Sequence, residues 1–385
     1  MKVKETDKIV HLIIDHQVIE RSLGIFEALY PGKNDIIIFE KKDTYKHLHK
    51  YAKCQRVNDS NLDEFVKSYD FSNVKYVISH YMNFWMAEFI LKVPQPIHCC
   101  WEIYGYDLYN QFLEHLGLSI YYTDPIKFQK YSWFRSLFPK LFDRLLSFRG
   151  VKYATKKQKS NLFNRITERV DSVGVCTAGD VRILEKYSKK KFPYFIFCNY
   201  SLREVFGDLW DSEFTEGNNI MIGNSASFSN NHLYVLEYMK RINFDSDIVL
   251  TLSYGGNTRY RDTVIKDYNK AFPGRIKTLL NYIPLHEYNQ SFMGYNSMVM
   301  AAWRQESIGT IMLAFYLGIK VYMSEKSPLY SSFKEEGFKI YSIESNEIEH
   351  ISIPLSIEDK IYNRNLLLKI YNEQGIINNV REHFR

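Results

Sequence analysis

The sequence predicts an α/β protein with two doubly wound halves, because strand-like and helix-like segments alternate along almost all of its length. Six short apolar runs lie in the first 200 residues, and six more follow residue 218. Alternation of this kind is typical of parallel sheets covered by helices on both faces. At 385 residues the chain exceeds the usual size of one hydrophobic core. We therefore expect two Rossmann-like domains that face each other across a cleft.

The boundaries of the two halves follow from where this pattern breaks. Residues 1–200 are predicted as the N-terminal domain and residues 219–356 as the C-terminal domain. Residues 201–218 are irregular and acidic and are predicted as the linker, and residues 357–385 as a polar helix that packs back at the domain junction. The predicted strands are Lys8–Asp15, Asp35–Glu40, Lys75–His80, Ile97–Ile103, Val170–Thr177, Tyr194–Tyr200, Ile220–Ile222, Asp247–Tyr254, Arg275–Tyr282, Ser297–Trp303, Lys320–Ser324 and Lys339–Ser345.

Composition excludes several classes of protein. Hydrophobic residues make up 45% of the chain and charged residues 24%, which is typical of a globular protein and not of a disordered one. The 5 cysteines are few and irregularly spaced, so we expect neither a disulfide framework nor a zinc site. No signal peptide is visible in the charged N-terminus, and the longest apolar run, 308–319, is too short to span a bilayer. We expect a soluble or peripheral protein.

Two loops of the second half contain glycines next to polar residues. Gly223, Asn224 and Ser225 follow an apolar run and precede a helical pattern. Gly223 would let a phosphate approach the backbone, and N–H groups at a helix start attract anions. Tyr254 and Asn257 lie in the second loop, where a tyrosine ring could stack on a base or a sugar. Ordinary turns between strands and helices are the alternative at both loops.

A third loop of the same half carries a permanent positive charge. Arg304 and Gln305 follow a predicted strand, and Gly309 and Thr310 open the next helix. A guanidinium group binds a diphosphate with two parallel hydrogen bonds, and a helix start adds N–H groups beside it. The alternative is a surface arginine next to a capping threonine. Because this loop and the Gly223 loop belong to one half, we favour a binding site for an anionic ligand there.

Two residues at strand ends of the first half are candidates for proton transfer. Asp107 follows the strand that ends at Ile103, and His80 is the last residue of an earlier strand. Carboxylates and imidazoles act as general bases, and ligands of parallel sheets bind at the carboxyl ends of strands. The alternatives are that Asp107 caps the following helix and that His80 is structural. His16 lies similarly after the first strand.

Familiar cofactor motifs are missing from the sequence. It contains no G-x-G-x-x-G, no P-loop and no G-x-S-x-G pattern. Asp245, Ser246 and Asp247 match an Asp-x-Asp pattern that binds divalent metals, but they precede a predicted strand. They would therefore lie at the edge of the sheet opposite the three loops. We expect no metal and no cofactor.

Several of these residues together resemble a known family. Residues 101–109, WEIYGYDLY, look like its W-x-I-W-G-x-D-L-Y motif. Its G-N-S-x-x-x-S-N-x-H and R-Q-x-x-I-G-T motifs are matched by Gly223, Asn224, Ser225, Ser229, Asn230 and His232 and by Arg304, Gln305, Ile308, Gly309 and Thr310. The chain thus resembles glycosyltransferase family 56, of the GT-B superfamily, over most of its length. Glu306 and Ala314 stand where that superfamily often has two glutamates.

The resemblance implies a GT-B enzyme that holds a nucleotide-diphosphate sugar in its C-terminal half without a metal. It implies transfer of a deoxy- or acetamidohexose, such as N-acetylfucosamine or fucose, to a polyprenyl-diphosphate-linked saccharide in bacterial surface polysaccharide synthesis. A dTDP-sugar is favoured as the donor, with GDP- and UDP-sugars as alternatives. Two alternative functions are a nucleotide-sugar epimerase on the same fold and a non-catalytic basic module. We expect no nucleic acid partner.

Residues 121–170 concentrate positive charge, with 12 Lys or Arg against 3 acidic residues. From residue 133 to residue 148 apolar residues recur every three or four positions, which is typical of an amphipathic helix. The residues predicted to bind the membrane are Trp133, Arg135, Lys140, Arg144 and Arg149. We expect them to hold the protein on an anionic membrane, peripherally, at the cytoplasmic face of the bacterial inner membrane. The alternative is a core-facing helix with a solvated charged face.

Overall fold

The computed structural model describes residues 7–41, 44–51, 54–58, 60–128, 155–199 and 201–385. These residues form two compact units. Among the described residues, 7–118, 155–199 and 373–385 belong to the first unit, and 119–128 and 201–372 belong to the second. Each unit has a parallel sheet with helices packed on it, so the predicted α/β class is confirmed.

The secondary-structure elements alternate along the chain as a doubly wound fold requires. The strands are β1 (Lys8–Ile13), β2 (Asn34–Phe39), β3 (Gln55–Val57), β4 (Val74–His80), β5 (His98–Glu102), β6 (Ser172–Val175), β7 (Tyr194–Ile196), β8 (Asn219–Ile222), β9 (Ile248–Thr251), β10 (Ile276–Leu279), β11 (Tyr295–Met300), β12 (Lys320–Met323) and β13 (Tyr341–Ser342). The helices are α1 (Ile19–Leu29), α2 (Leu62–Ser68), α3 (Phe84–Ile90), α4 (Lys156–Arg169), α5 (Ala178–Ser188), α6 (Leu202–Phe206), α7 (His232–Met239), α8 (Thr258–Ala271), α9 (Leu285–Ser291), α10 (Ile308–Leu317), α11 (Pro328–Glu336), α12 (Ile357–Ile370) and α13 (Glu373–His383). A π-helical turn spans Asp107–Phe112.

The sheet of the first unit has the strand order β3-β2-β1-β4-β5-β6-β7, and its described neighbours are parallel. Its central strands are buried on both faces, so they read as nearly continuous apolar runs. In β1, with the sequence KIVHLI, every residue after Lys8 is buried. Helix α1 covers the sheet with Ile19, Leu23 and Phe26, and the C-terminal helix α13 packs against β7 and α1.

The sheet of the second unit has the order β10-β9-β8-β11-β12-β13 and is also parallel. Helix α10 is apolar nearly all round, and its residues are buried except Gly309 and Thr310 in the first turn. This explains the long apolar run of the sequence, which is a core helix. Its start remains partly open to solvent at the carboxyl ends of the strands.

Each sheet reverses its strand order at one place, between β1 and β4 in the first unit and between β8 and β11 in the second. Connections on either side of such a reversal run to opposite faces of the sheet and leave a crevice beyond the carboxyl ends of the two strands. Ligands of doubly wound sheets bind in that crevice. The loops that follow these four strands are therefore the first places to look for a functional site.

All twelve predicted strands are present, each within a residue or a few of its predicted ends. Strand β3, Gln55–Val57, was not predicted, because it is a three-residue edge strand with one buried side chain and no apolar run. The predicted linker differs more. Residues 201–218 contain α6 and pack within the second unit, where the Trp210 ring stacks on Tyr316 with centroids 5.7 Å apart.

The C-terminal stretch 357–385 differs from the single helix that was predicted. Helices α12 and α13 are separate, because the helical conformation is interrupted at Tyr371 and Asn372. Helix α12 packs against α10 in the second unit, whereas α13 belongs to the first. A single polar pattern therefore concealed two helices with different partners.

The basic segment predicted to bind the membrane lies outside the described residues. This applies to Trp133, Arg135, Lys140, Arg144 and Arg149. Within the described part of the chain, no helix is both long and apolar enough to cross a membrane.

Candidate active site

The loop after β8 needs glycine at position 223. Gly223 has a φ of +67°, in the left-handed region that side chains disfavour. A Cβ atom there would lie 2.7 Å from His232 Nε2 and 2.8 Å from Asn230 Oδ1, closer than real Cβ contacts. The glycine thus allows the two side chains to pack directly against the loop.

Three backbone amides of this loop donate hydrogen bonds within the protein, whereas the role of Gly223, Asn224 and Ser225 in donor binding stays a prediction. Asn224 N donates to Asn230 Oδ1 at 2.9 Å, and Ala226 N donates to Tyr254 O at 2.7 Å. Gly223 N donates to a strand carbonyl, 3.0 Å away. These three N–H groups are therefore not available to a ligand.

Asn224 and Tyr254 join the first two predicted loops. Asn224 Nδ2 donates to the Tyr254 hydroxyl at 2.8 Å, and the Tyr254 side chain is 56% exposed, so its ring is open to a ligand. Asn257 is the N-cap of α8 and accepts from Tyr260 N at 2.9 Å. Its amide also donates to Phe128 O at 3.3 Å. The described contacts of Asn257 are thus structural, and its role in donor binding stays a prediction.

Arg304 is fixed by a network that joins the loops after β8 and β11. Arg304 Nη2 lies 3.1 Å from Glu306 Oε2 and 3.3 Å from Ser229 Oγ. Ser229 donates to the same carboxylate oxygen at 2.6 Å, and Asn230 Nδ2 lies 3.4 Å from the other oxygen. The Arg304 and Glu306 side chains are each 12% exposed. The guanidinium group is therefore held in place before any ligand arrives.

Helix α10 begins beside this network. Its N-cap, Ser307, has a φ of +62° and makes no side-chain capping bond. The N–H groups of the first turn have no partner within the helix. Gly309 and Thr310 are both in that turn and half-buried. A Cβ atom on Gly309 would meet Val205 Cγ1 at an ordinary 3.5 Å, so sterics do not require glycine there.

Three buried oxygen atoms on these two loops have no hydrogen-bond partner among the described residues. They are Asn224 Oδ1, Gln305 Oε1 and Ser307 Oγ. Buried polar atoms without a partner are rare in folded proteins, and each one needs an explanation. A ligand that carries both negative charge and hydroxyl or N–H groups would satisfy Arg304, the helix start and these three atoms.

Asp107 in the first unit is fully buried. Its Oδ2 atom accepts from Met82 N at 3.1 Å and from Trp101 Nε1 at 2.8 Å, and its Oδ1 atom accepts from Tyr104 N at 3.1 Å. Burial raises the pKa of this carboxyl group to about 6. The Asp107 side chain thus stabilises the loop around it and exposes no surface to a substrate. The prediction of a general base at Asp107 therefore gains no support from this geometry.

His80 is also enclosed, between two other polar side chains. Its Nε2 atom lies 2.8 Å from His11 Nδ1, and its Nδ1 atom contacts Glu102 Oε2. All three side chains are buried, and burial lowers the pKa of His80 to about 3. His80 thus belongs to an interior chain of polar groups. Its catalytic role stays a prediction that the geometry does not favour.

A metal site was not expected in this protein. Within the described ranges, no group of three or more His, Cys, Asp or Glu side chains is placed to hold a metal ion.

GT-B glycosyltransferases have two tandem parallel sheets, each with a ligand crevice. Solved structures with the same fold support this assignment. A glycosyltransferase from Rickettsia africae ESF-5 has a TM-score of 0.62 at 10% identity, covering 99% of this chain and 98% of its own. The lipopolysaccharide outer core galactosyltransferase WaaB has a TM-score of 0.61 at 10% identity, covering 97% and 98%. Anabaena HepE, solved with UDP and glucose, has a TM-score of 0.58 at 10% identity, covering 98% and 99%.

The sequence identifies the family. Residues 161–359, more than half of the chain, match the family described as 4-alpha-L-fucosyltransferase, glycosyl transferase group 56. The chain belongs to this family, as its motifs indicated, and it is a hexosyl-transferring glycosyltransferase of the GT-B fold. A search among curated proteins finds no match to the sequence.

Proposed function

We propose that this enzyme transfers a deoxy- or acetamidohexose, such as fucose or N-acetylfucosamine, from a nucleotide-diphosphate sugar to a polyprenyl-diphosphate-linked saccharide. The pathway is bacterial surface polysaccharide synthesis. Membership in a family described by a fucosyltransferase supports the class of sugar. A solved relative in fold, HepE, binds UDP and UDP-glucose, which supports a nucleotide-sugar donor. We favour dTDP as the nucleotide, with UDP and GDP as the other candidates.

The observation that carries the proposal is the fixed guanidinium group of Arg304 beside the start of α10. Glu306 and Ser229 hold this group at 3.1 and 3.3 Å, on the loop that follows β11 at the reversal of the strand order. When the bond from the sugar to the diphosphate breaks, negative charge develops on the leaving oxygen. Donors already fixed around that oxygen stabilise it without reorganising. The helix start adds partial positive charge, and the proposed reaction needs no metal.

The polar atoms around Arg304 can bind the sugar and nucleoside parts of the donor. Asn224 Oδ1 and Gln305 Oε1 can only accept hydrogen bonds, so they match hydroxyl or N–H groups and not phosphate oxygens. The exposed Tyr254 ring, tied to Asn224, offers a flat apolar surface for a base or a sugar. A nucleotide-diphosphate sugar contains all of these groups in one molecule.

A thermal-shift screen against dTDP-, UDP- and GDP-sugars tests the donor assignment. A ligand that binds the folded state at 100 times its Kd stabilises it by about 2.7 kcal/mol, so the true donor is expected to raise Tm by several degrees. The best donor is then assayed with a phytyl-diphosphate-linked disaccharide, with and without EDTA. We expect lipid-linked product in both cases. No shift with any of the three classes would contradict the proposal, and loss of turnover in EDTA would contradict its metal-independent part.

We also propose that the enzyme docks peripherally at the cytoplasmic face of the inner membrane through the basic segment. Each basic residue near an anionic leaflet contributes on the order of 1 kcal/mol. A variant with Glu at positions 135, 140, 144 and 149 is expected to lose salt-sensitive binding to liposomes of phosphatidylglycerol and phosphatidylethanolamine. It should still use a water-soluble acceptor. Liposome binding equal to that of the parent protein would overturn the proposal.

A further inference from the structure

Three rings lie in a row at the carboxyl edge of the first unit's sheet. His16 follows β1, Tyr81 follows β4 and Tyr104 follows β5, and these three strands are neighbours. The centroid of the Tyr104 ring lies 6.1 Å from that of His16 and 6.3 Å from that of Tyr81. The row therefore crosses the place where the strand order reverses, which is where a doubly wound sheet binds its ligand.

The rings are held by the backbone and by hydrogen bonds. Tyr81 has a φ of +86°, which is unfavourable for a non-glycine residue and is typical of functional sites. Its amide donates to Glu102 O at 3.1 Å, and its carbonyl accepts from Ser79 Oγ at 2.5 Å. The Tyr104 hydroxyl lies 3.3 Å from Ser22 Oγ. The surrounding structure thus maintains a strained residue to place a ring at this edge.

His16 is the ring in this row that carries a basic nitrogen. It is half-buried, and its Nδ1 atom has no hydrogen-bond partner among the described residues. Among the described residues, Asp15 and His47 act on it electrostatically. Asp15 accepts from the amides of Lys46 and His47 at 2.6 and 2.9 Å, which fixes the adjacent loop. Burial lowers the pKa of His16, which favours the neutral imidazole that can accept a proton.

We propose that this row of rings is the subsite of the acceptor saccharide, and that His16 is the catalytic base. The tyrosine rings pack against the apolar face of a sugar, and the His16 imidazole takes the proton from the attacking hydroxyl. The hydroxyl oxygen forms a bond to the anomeric carbon, and the bond from that carbon to the diphosphate breaks. The electron pair of this bond leaves with the diphosphate. The inference rests on the proposed saccharide acceptor.

The two bases predicted from the sequence are less suited to this step. His80 and Asp107 are both fully buried, and their polar atoms contact other groups of the protein. A general base must come within hydrogen-bond distance of the hydroxyl that it deprotonates. Of these three residues, His16 alone has exposed surface at the crevice. The sequence places His16 after the first strand, and the strand order shows that this strand lies at the reversal.

Substitution of His16 tests the catalytic step. With dTDP-N-acetylfucosamine and a phytyl-diphosphate-linked disaccharide, His16→Ala is expected to lower kcat about 100-fold or more, since general base catalysis contributes that much. The Kd for the donor, measured by titration calorimetry, should not change. Added imidazole should restore part of the turnover, which a purely structural role would not permit. The exposed His49→Gln variant is the control. Parent-like turnover in a folded His16→Ala protein would overturn the catalytic assignment.

The saccharide subsite is tested without turnover. Saturation-transfer NMR with the free disaccharide is expected to show contact with the parent protein, and about tenfold weaker binding to Tyr104→Leu. Tyr104→Phe keeps the ring and should bind nearly as the parent does. Equal binding by all three proteins would overturn the subsite. Because this measurement needs no donor, failure of the subsite is distinguishable from failure of the proposed sugar transfer.

Discussion

His80 Nε2 and His11 Nδ1 lie 2.8 Å apart in the core of the first unit, on the adjacent strands β4 and β1. The contacts that continue from His11 to Asn34 and Glu27 show which histidine nitrogen carries the proton. Asn34 Nδ2 donates to Glu27 Oε2 at 2.6 Å, so Asn34 Oδ1 points at His11 Nε2, 3.0 Å away. His11 therefore carries its proton on Nε2, and its Nδ1 atom accepts from His80.

The direction of the hydrogen bond from His80 to His11 determines the protonation state of Glu102. Because burial lowers the pKa of His80 to about 3, its imidazole is neutral and has a single proton, which lies on Nε2. Its Nδ1 atom therefore accepts, and Glu102 donates as a neutral carboxylic acid. Burial raises the pKa of Glu102 well above its usual value and lowers the pKa of His11 and of His80 to about 3. Gly174 makes room for the acid, since a Cβ atom there would lie 2.9 Å from Glu102 Cγ. His11, His80 and Glu102 are therefore all neutral.

The neutral chain predicts how stability depends on pH. The unfolded histidines gain protons below pH 6.5, which the folded ones do not until about pH 3, so stability falls with decreasing pH in that window. Unfolded Glu102 loses its proton above about pH 4.3, while the folded acid keeps it, so its contribution falls with increasing pH. Together, the two histidines and Glu102 favour maximal stability of the folded protein near pH 6.5.

The Glu102→Gln variant tests how much Glu102 contributes to the pH dependence of stability. The glutamine amide can still donate to His80 but cannot ionise. We expect the free energy of unfolding of this variant, relative to the parent, to rise with pH, by up to about 1.4 kcal/mol per pH unit. Urea titrations at pH 6.5, 7.5 and 8.5 measure this, with the exposed Glu64→Gln as the control. A difference independent of pH would mean that Glu102 is ionised in the folded protein.

The sequence predicted the strands and the loops of the second unit because both depend on local patterns. Apolar runs mark strands buried on two faces, and Gly223 and Arg304 stand next to such runs. The buried polar chain could not be predicted in this way. His11 lies inside an apolar strand, and its partners are far away in the sequence, so only the strand order brings them together.

Asp107→Asn separates a structural role of this residue from a catalytic one. The carboxylate accepts from Met82 N, Trp101 Nε1 and Tyr104 N, and an asparagine NH2 group would face at least one of these donors. A buried donor without an acceptor costs about 1–3 kcal/mol, so we expect the free energy of unfolding to fall by that amount. Urea unfolding measures it. A hundred-fold loss of kcat at unchanged stability would instead support the general base predicted from the sequence.

Gly223→Ala tests whether the loop after β8 depends on close packing as well as on backbone conformation. Gly274 has a similar φ of +76° but open space around its Cβ position, so Gly274→Ala measures the conformational cost alone, about 1–2 kcal/mol. We expect Gly223→Ala to cost more, because its Cβ would displace His232 and Asn230. The donor Kd should also rise, by about tenfold, only in Gly223→Ala. Equal effects of the two substitutions on Tm would contradict this account.

Arg304→Ala is expected to weaken donor binding by about 10- to 100-fold, the equivalent of one charge-assisted hydrogen bond of about 1.5–3 kcal/mol. It should also destabilise the protein, because it leaves the Glu306 carboxylate, only 12% exposed, without its counter-ion. These two effects need to be separated, since a protein that unfolds also binds nothing.

The Arg304→Ala/Glu306→Gln double variant separates them. It removes the guanidinium group and the carboxylate charge together, so we expect Tm to return most of the way to that of the parent. Donor affinity should stay low, because the group that neutralises the diphosphate is still missing. The exposed Arg241→Ala, which removes an arginine stacked on Tyr238, is the control for net charge. Calorimetry with the donor found in the thermal-shift screen measures the affinity. Parent-like affinity in the stable double variant would show that Arg304 serves only to pair with Glu306, and the diphosphate would then have to be held elsewhere.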